Sequence, residues 1–361
     1  MNDDIKTKIK KFFSYVFIDG LTGMAWGLFS TLIIGLIIEQ LGKLIGGNVG
    51  NLIVVIGKIA ASLTGAGIGV GVAVKYKETP FVTISAAIAG LIGAFASKIL
   101  QGSVIVDGTI ILNGPGEPLG AFIASFVGII CGRWIQGKTK LDIILVPIFT
   151  IMIGGAVGLL VGPPISNFML ALGELINWAV TKQPIIMGIL VSVLMGMILT
   201  LPISSAALAI ILNLSGLAGG AATVGCCANM VGFAVASFKE NGISGLISQG
   251  LGTSMLQVPN IMKKPIIWLP AIIASAILGP ISTVVLHMTN NASGAGMGTA
   301  GLVGQLMTWQ DMSESENGVV LIIKIILLHF ILLGVIAWVT SYIMRKKGLI
   351  KDGDMKLESS I

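Results

Sequence analysis

Two stretches of this 361-residue chain carry most of its chemistry. The first reads PISSAALAIILNLSGLAGGAA from Pro202, and the second reads PISTVVLHMTNNASGAGMGTA from Pro280. Each sets amides and hydroxyls beside small residues within a strongly apolar background. Asn213, Ser215 and Gly216 come from the first; His287, Thr289, Asn290, Asn291, Ser293 and Gly294 come from the second. Amides and hydroxyls both donate and accept hydrogen bonds, which suits a neutral polyol or sugar. Half-helix N-termini beside them would equally favour a carboxylate or phosphate. The residue types leave both ligands open. His287 adds an imidazole, which can donate or accept a hydrogen bond or carry a proton. It is read either as a ligand-contacting or proton-handling group or as a structural donor. If the segment is helical, His287 shares a face with Asn291, four residues on. The other histidine, His329, stands in KIILLHFILLGVIAW without polar neighbours and is read as structural.

The two stretches match each other. Lys182 and Lys263 each begin Lys-x-Pro-Ile-Ile, an apolar run follows, and Pro-Ile-Ser-[Ser/Thr]-x-x-Leu comes next. Asn213 then aligns with Asn291, Ser215 with Ser293, Gly216 with Gly294, and Gly220 with Gly298. One gap between the prolines is needed. The register is read as an internal duplication; the alternative is that proline, serine and glycine recur wherever helices break.

The elements that must hold these residues are membrane helices. The chain is 55% hydrophobic and 11% charged, against roughly a quarter charged in soluble domains. Mean hydropathy is +0.98. Long apolar runs recur throughout, and the 49 glycines suit close helix packing in lipid. Expected spans in the first half are 17–40, 51–74, 80–100, 118–136 and 141–162. The net charge of +6 sits in the tails and short loops and reads as a topology signal. Lys6, Lys8, Lys10, Lys11, Lys75, Lys77, Arg133, Lys138, Lys140 and Arg345–Lys347 fall on one side, expected to be the cytoplasm. The acidic loops 101–117 and 309–318 fall outside. VIVDGTIIL, with Asp107-Gly108 at the turn, predicts a small β-hairpin. Both termini inside require an even number of spans, and about ten fit.

Residues 164–183 separate the halves. Phe168, Leu172, Leu175, Ile176 and Ala179 face one way, and Asn167, Glu174 and Asn177 the other, as in an interfacial helix or a crossover. The expected organisation is a five-span scaffold, 1–163; this crossover; a substrate-binding domain, 184–348; and a cytoplasmic tail, 349–361. By the charge pattern the two matched copies run in opposite directions. Inverted repeats with broken helices are a recurring transporter design. Each copy then reads as span, re-entrant hairpin, span, with hairpins at 202–222 and 280–305 and further spans at 223–238, 242–262 and 319–344. Pro202 and Pro280 should open helical turns. Gln249, Thr253, Gln257 and Asn260 recur at helical spacing in span eight and read as a cavity-facing stripe, with Pro259 breaking that helix near its end. Gln257 is therefore a further candidate contact. The fold class expected is an all-α polytopic membrane protein of about ten spans with two re-entrant hairpins.

No HExxH, P-loop, GxSxG or CxxC occurs. No enzyme activity, metal or cofactor is expected, and Cys131, Cys226 and Cys227 read as apolar packing residues. Nothing resembles a nucleic-acid-binding face.

The stretch GPISTVVLHMTNNASGAGMGTAGLVGQ and its companion LPISSAALAIILNLSGLAGGAATVGCCANMVGFA resemble the EIIC-like membrane proteins of the phosphotransferase system. The nearest type is the toxin-regulator group, similar to the perfringolysin O regulator. The resemblance covers nearly the whole chain. It implies ten spans, two re-entrant hairpins, a homodimer built on the first half, a bacterial plasma-membrane location, and sugar carried by the second half and released as a sugar phosphate. It maps Asn213, His287, Asn291 and Ser293 onto the hairpins that hold substrate. Sugar-carrying members place a glutamate in a hairpin; neither hairpin here holds Asp or Glu. The chain has no EIIB domain, so phosphotransfer would need separate EIIA and EIIB proteins. The expected function is transport of a small polar solute by elevator-type movement. The alternatives are a ligand-sensing membrane regulator and a lipid-handling protein.

Overall fold

The computed structural model describes residues 11–357 apart from Asp107 and Asn113. Nearly all of it is helical. Six helices are long and apolar enough to cross a bilayer, or seven if one bent pair counts as a single span. The chain divides into two compact units, one through Phe168 and one from Met169 onward.

The first unit begins with the apolar run Lys11–Ile45, which π-turns interrupt at Tyr15–Gly20 and Phe29–Ile33. It turns at Gly46 into Gly47–Ser62, which meets Thr64–Lys75 at a 54° bend. Small residues let these helices touch backbone to backbone: a Cβ on Gly27 would sit 2.2 Å from the Gly67 carbonyl oxygen. Pro80–Ala94 and Pro118–Ile135 follow, each opened by its proline. Between them Ile105–Val106 pairs antiparallel with Thr109–Ile110. The expected hairpin is therefore present; Asp107 lies outside the described residues, and Gly108 takes φ +74°.

Three expectations about elements are corrected. The crossover 164–183 is not a separate helix. Asp142–Val180 is one helix of 39 residues, continuing through Pro147, Pro163 and Pro164. Span seven does not start at 223. Gly216–Ala236 is a single buried helix, so the second arm of the first stretch runs straight into it. Span eight is no continuous helix. It is broken into Phe238–Ile247, a π-turn at Ser248–Gly252, a 3-10 turn at Ser254–Gln257 and Val258–Lys263. Gly242 at φ +57° and extended Thr253 cause the breaks. Pro259 stands in the first turn of the last piece, which it starts instead of ending.

The second unit is built around the Gly216 helix. Pro184–Thr200 and Pro265–Val285 pack on it, as does Gly318–Lys346. Contact is closest where a Cβ on Gly225 would lie 1.8 Å from the Ser192 carbonyl oxygen. A buried polar cluster ties these elements together. Asn229 Oδ1 accepts from Thr200 Oγ1 at 3.1 Å and from Trp268 Nε1 at 2.7 Å. Thr200 Oγ1 also meets Ser254 Oγ at 2.8 Å. Each group is satisfied, as burial in a low-dielectric interior demands. Cys226 and Cys227 are free and buried in this helix, as packing residues should be.

Candidate functional site

Each of the two stretches forms a reversal, but by different local means. In the first, Leu201–Ser204 leaves the helix, and Ser205–Ile211 is a short helix that stops at Asn213. Asn213 adopts φ +47°. Its N–H donates to the Ile210 carbonyl at 3.0 Å, and the Leu214 N–H donates to Ala209 at 2.9 Å. This is a Schellman ending, with asparagine where glycine is commonest. Ser215 then precedes the Gly216 helix, its carbonyl accepting from the Gly219 N–H at 3.2 Å. Gly216 needs glycine for its φ of +61° and not for space, since a Cβ there would meet nothing within 4 Å.

In the second stretch Pro280 opens nothing; it lies inside Pro265–Val285. A π-turn at Ile281–Val285 ends that helix, and His287 takes φ +48°. Residues 287–291 are then non-helical. His287 and Asn291 therefore do not share a helix face, because the chain between them is not helical. Asn291 Oδ1 caps the short helix Ala292–Ala295, accepting from the Ser293 and Gly294 N–H groups at 3.1 Å each.

The two reversals meet. Asn290 donates its N–H to the Gly216 carbonyl at 3.2 Å, and Ser205 Oγ in the first stretch donates to the Gly296 carbonyl in the second at 2.7 Å. The 287–291 segment lies against the first turns of the Gly216 helix where Gly219 and Gly220 present no side chain. A Cβ on Gly220 would be 2.0 Å from the Met288 carbonyl oxygen. Asn290 is fully buried and turned inward. Its Nδ2 donates to Thr223 Oγ1 at 2.7 Å and to the Gly304 carbonyl at 3.0 Å, and its Oδ1 accepts the Asn291 N–H at 2.8 Å.

Asn213, Ser215, His287 and Ser293 are exposed, while Asn291 and Thr289 are half-buried. Ser215 Oγ makes no capping bond. Gly294 is buried, where a Cβ would come within 2.5 Å of Asn290 Oδ1. Thr289 Oγ1 donates to Asp311 Oδ2 at 2.5 Å. In the sequence that carboxylate falls in the acidic stretch 309–318, expected to be an outer loop. Val303–Met312 is instead a helix, which carries Asp311 back to the second stretch. The continuing apolar run Leu306, Met307, Trp309 and Met312 was the available signal. Lys324, which has no signal in the sequence, also joins this site: its Nζ donates to the Leu286 carbonyl at 3.1 Å and pairs with Glu316, so an ammonium caps the helix end just before His287. Gln257 is elsewhere. It is fully buried among Gln249, Asn260 and the C-terminal segment.

Apolar helices long enough to cross a bilayer, with two polar stretches joined inside one unit, are the architecture of a polytopic membrane protein. The family model described as "Phosphotransferase system, EIIC" matches residues 18–357, and the chain belongs to that family. EIIC domains are membrane components of sugar-type transport that act with separate EIIA and EIIB proteins. No curated protein matches the chain at a significant level.

Proposed function

We propose that this chain carries a small polar solute, sugar-like or another hydrophilic metabolite, across a bacterial plasma membrane, without a phosphotransfer group of its own. In this reading the two reversals are re-entrant hairpins of an inverted repeat within a ten-span protein. The second half moves as an elevator against a homodimeric first half, and both termini are cytoplasmic. The observation that carries the reading is the bridge between Gly216 and Asn290. It brings exposed Asn213 and Ser215 from one stretch onto the same edge of the fold as the polar run of the other. Non-helical backbone at membrane depth is tolerated where it is buried in protein or lines a wet cavity. Asn290 and Asn291 support the backbone; Asn213, Ser215, His287, Thr289 and Ser293 are left to meet solute. Asp311 supplies the carboxylate that neither stretch contains. A carboxylate accepts from sugar hydroxyls and is about twice as strong an acceptor as a neutral group.

The test is uptake by proteoliposomes of a panel of radiolabelled sugars, polyols and carboxylates. Asp311→Asn keeps shape and removes charge. It should weaken uptake of the transported solute about ten-fold, as loss of one charge-assisted hydrogen bond does. Ser215→Ala should weaken it less. Normal uptake by both variants would remove the site from this position.

A further inference from the structure

The segment after the last long helix does not hang free. Residues 349–357 fold back onto the second unit, and Ile350 and Met355 are buried at 2% and 0% exposure. They join an apolar cluster with Phe233, Ile261, Ile267 and Met344. Beside that cluster the backbone of the segment is read by three amides. Asn241 Nδ2 and Gln257 Nε2 donate to the Met355 carbonyl at 2.8 and 2.9 Å, and Asn260 Nδ2 donates to Lys356 at 2.9 Å. The Leu357 N–H returns a bond to Asn241 Oδ1 at 2.8 Å. Two aspartates fix the register. Asp352 pairs with Lys239 at 2.6 Å and Arg345 at 3.3 Å, and Asp354 pairs with Lys264 at 2.6 Å. Partial burial works against the Asp354 charge, but the Lys264 and Lys351 hydrogen bonds hold its carboxyl below the usual range.

Behind these amides lies a line of buried polar groups. Gln257 Nε2 continues to Gln249 Oε1 at 2.8 Å, and Gln249 to Ser237 Oγ at 3.0 Å. One turn away Ser254, Thr200 and Asn229 form the cluster described above. Thr299 Oγ1 bonds the Gly250 carbonyl, linking the broken span to the end of the second polar stretch. Such a line is costly to build in an apolar unit unless it serves something. Its outer end is closed by backbone carbonyls of the segment 349–357.

We propose that this segment is a displaceable plug. It satisfies Asn241, Gln257 and Asn260 in place of water and closes the polar line running inward from them. When the plug leaves, those amides need new acceptors, so the line hydrates and opens on the face that carries Lys239, Lys264 and Arg345. The Asp352–Lys239 pair is exposed and holds weakly, the Asp354–Lys264 pair is part-buried, and Met355 supplies the anchor. That combination makes a part that opens locally without unfolding the unit. The plug's movement is read by labelling alone, so it stands or falls separately from solute binding at the reversals.

The experiment uses full-length protein in nanodiscs with Cys131→Ser as background, leaving buried Cys226 and Cys227 as the internal baseline. Met355→Cys should react with a membrane-impermeant maleimide well above that baseline. Adding Lys239→Ala and Lys264→Ala should speed it about ten-fold. Ser254→Cys, placed deeper, should stay slow with the plug in place and speed up at least ten-fold with Asp352→Asn and Asp354→Asn. Met355→Asp should do the same if it folds; the aspartate pair keeps the test intact if it does not. Protection of Met355→Cys equal to that of Cys227 until the protein melts would overturn the proposal. So would an exposed Met355→Cys with Ser254→Cys still protected.

Discussion

Asn213 and His287 show how one residue can look chemical and be conformational first. Both take positive φ at the ends of helices, where a β-carbon costs about 1–2 kcal/mol in most residues and asparagine tolerates the geometry best. Alanine at either position therefore mixes backbone strain with lost chemistry. Asn213→Gly separates them. It should leave the thermal midpoint within a degree or two while removing the amide, whereas Asn213→Val should cost about 1–2 kcal/mol. Midpoints of both variants in the same detergent decide the matter. If Asn213→Val is as stable as Asn213→Gly, the left-handed turn is not what asparagine is there for. The sequence announced these residues by type, but φ depends on where a helix stops. For His287 the segment 287–291 that follows is held by packing on Gly219 and Gly220, which has no local signature. Asp311 was hidden for the same reason: a charge in a polar loop reads as solvated until the loop proves to be a helix end.

At the scale of elements, apolar runs opened by proline were legible. Pro80–Ala94, Pro118–Ile135 and Pro184–Thr200 begin where their prolines stand. The broken span was not, because Gln249, Gln257 and Asn260 keep helical spacing although the backbone between them leaves the helix at Thr253. The spacing survives because all three face the same polar line. The junction that holds these pieces is Asn229, whose carbonyl oxygen takes hydrogen bonds from Thr200 and Trp268 on two other elements. Asn229→Ala leaves the part-buried Trp268 Nε1 without its acceptor, while Thr200 Oγ1 keeps the Gly196 carbonyl and Ser254. Such a donor costs about 1–3 kcal/mol, so the midpoint should fall by a few degrees. Asn229→Asp keeps the acceptor and should recover part of the loss if the aspartate is protonated at low pH. A midpoint unchanged in Asn229→Ala would mean that the helices pack without this junction.

For the whole molecule the composition settled the class, and the family match over 18–357 agrees with it. The number of crossings is a different question, because it depends on how short apolar helices are counted. Pro80–Ala94 and Pro184–Thr200 have 15 and 17 residues, just below the length a bilayer asks of a straight helix. Counted with the six long helices and the bent pair they give nine, and a tenth span requires the broken segment 238–263 to cross as well. Sidedness tests this directly. If the basic segments lie inside, cysteines at Lys138 and Lys347 should be protected from impermeant maleimide in right-side-out vesicles and react once the vesicles are opened. Cysteines at Ser103 and Glu314 should react from outside. All four sites are exposed, so burial in the protein does not explain protection. Lys138 and Lys347 on the same side, opposite Ser103 and Glu314, require an even number of crossings between the two lysines. They also require an odd number from Ser103 to Lys138 and from Glu314 to Lys347. Glu314 labelled from the same side as Lys347 would take the Gly318–Lys346 helix out of the membrane-spanning set. The inverted relation of the two polar stretches would go with it, because that relation depends on alternating sides.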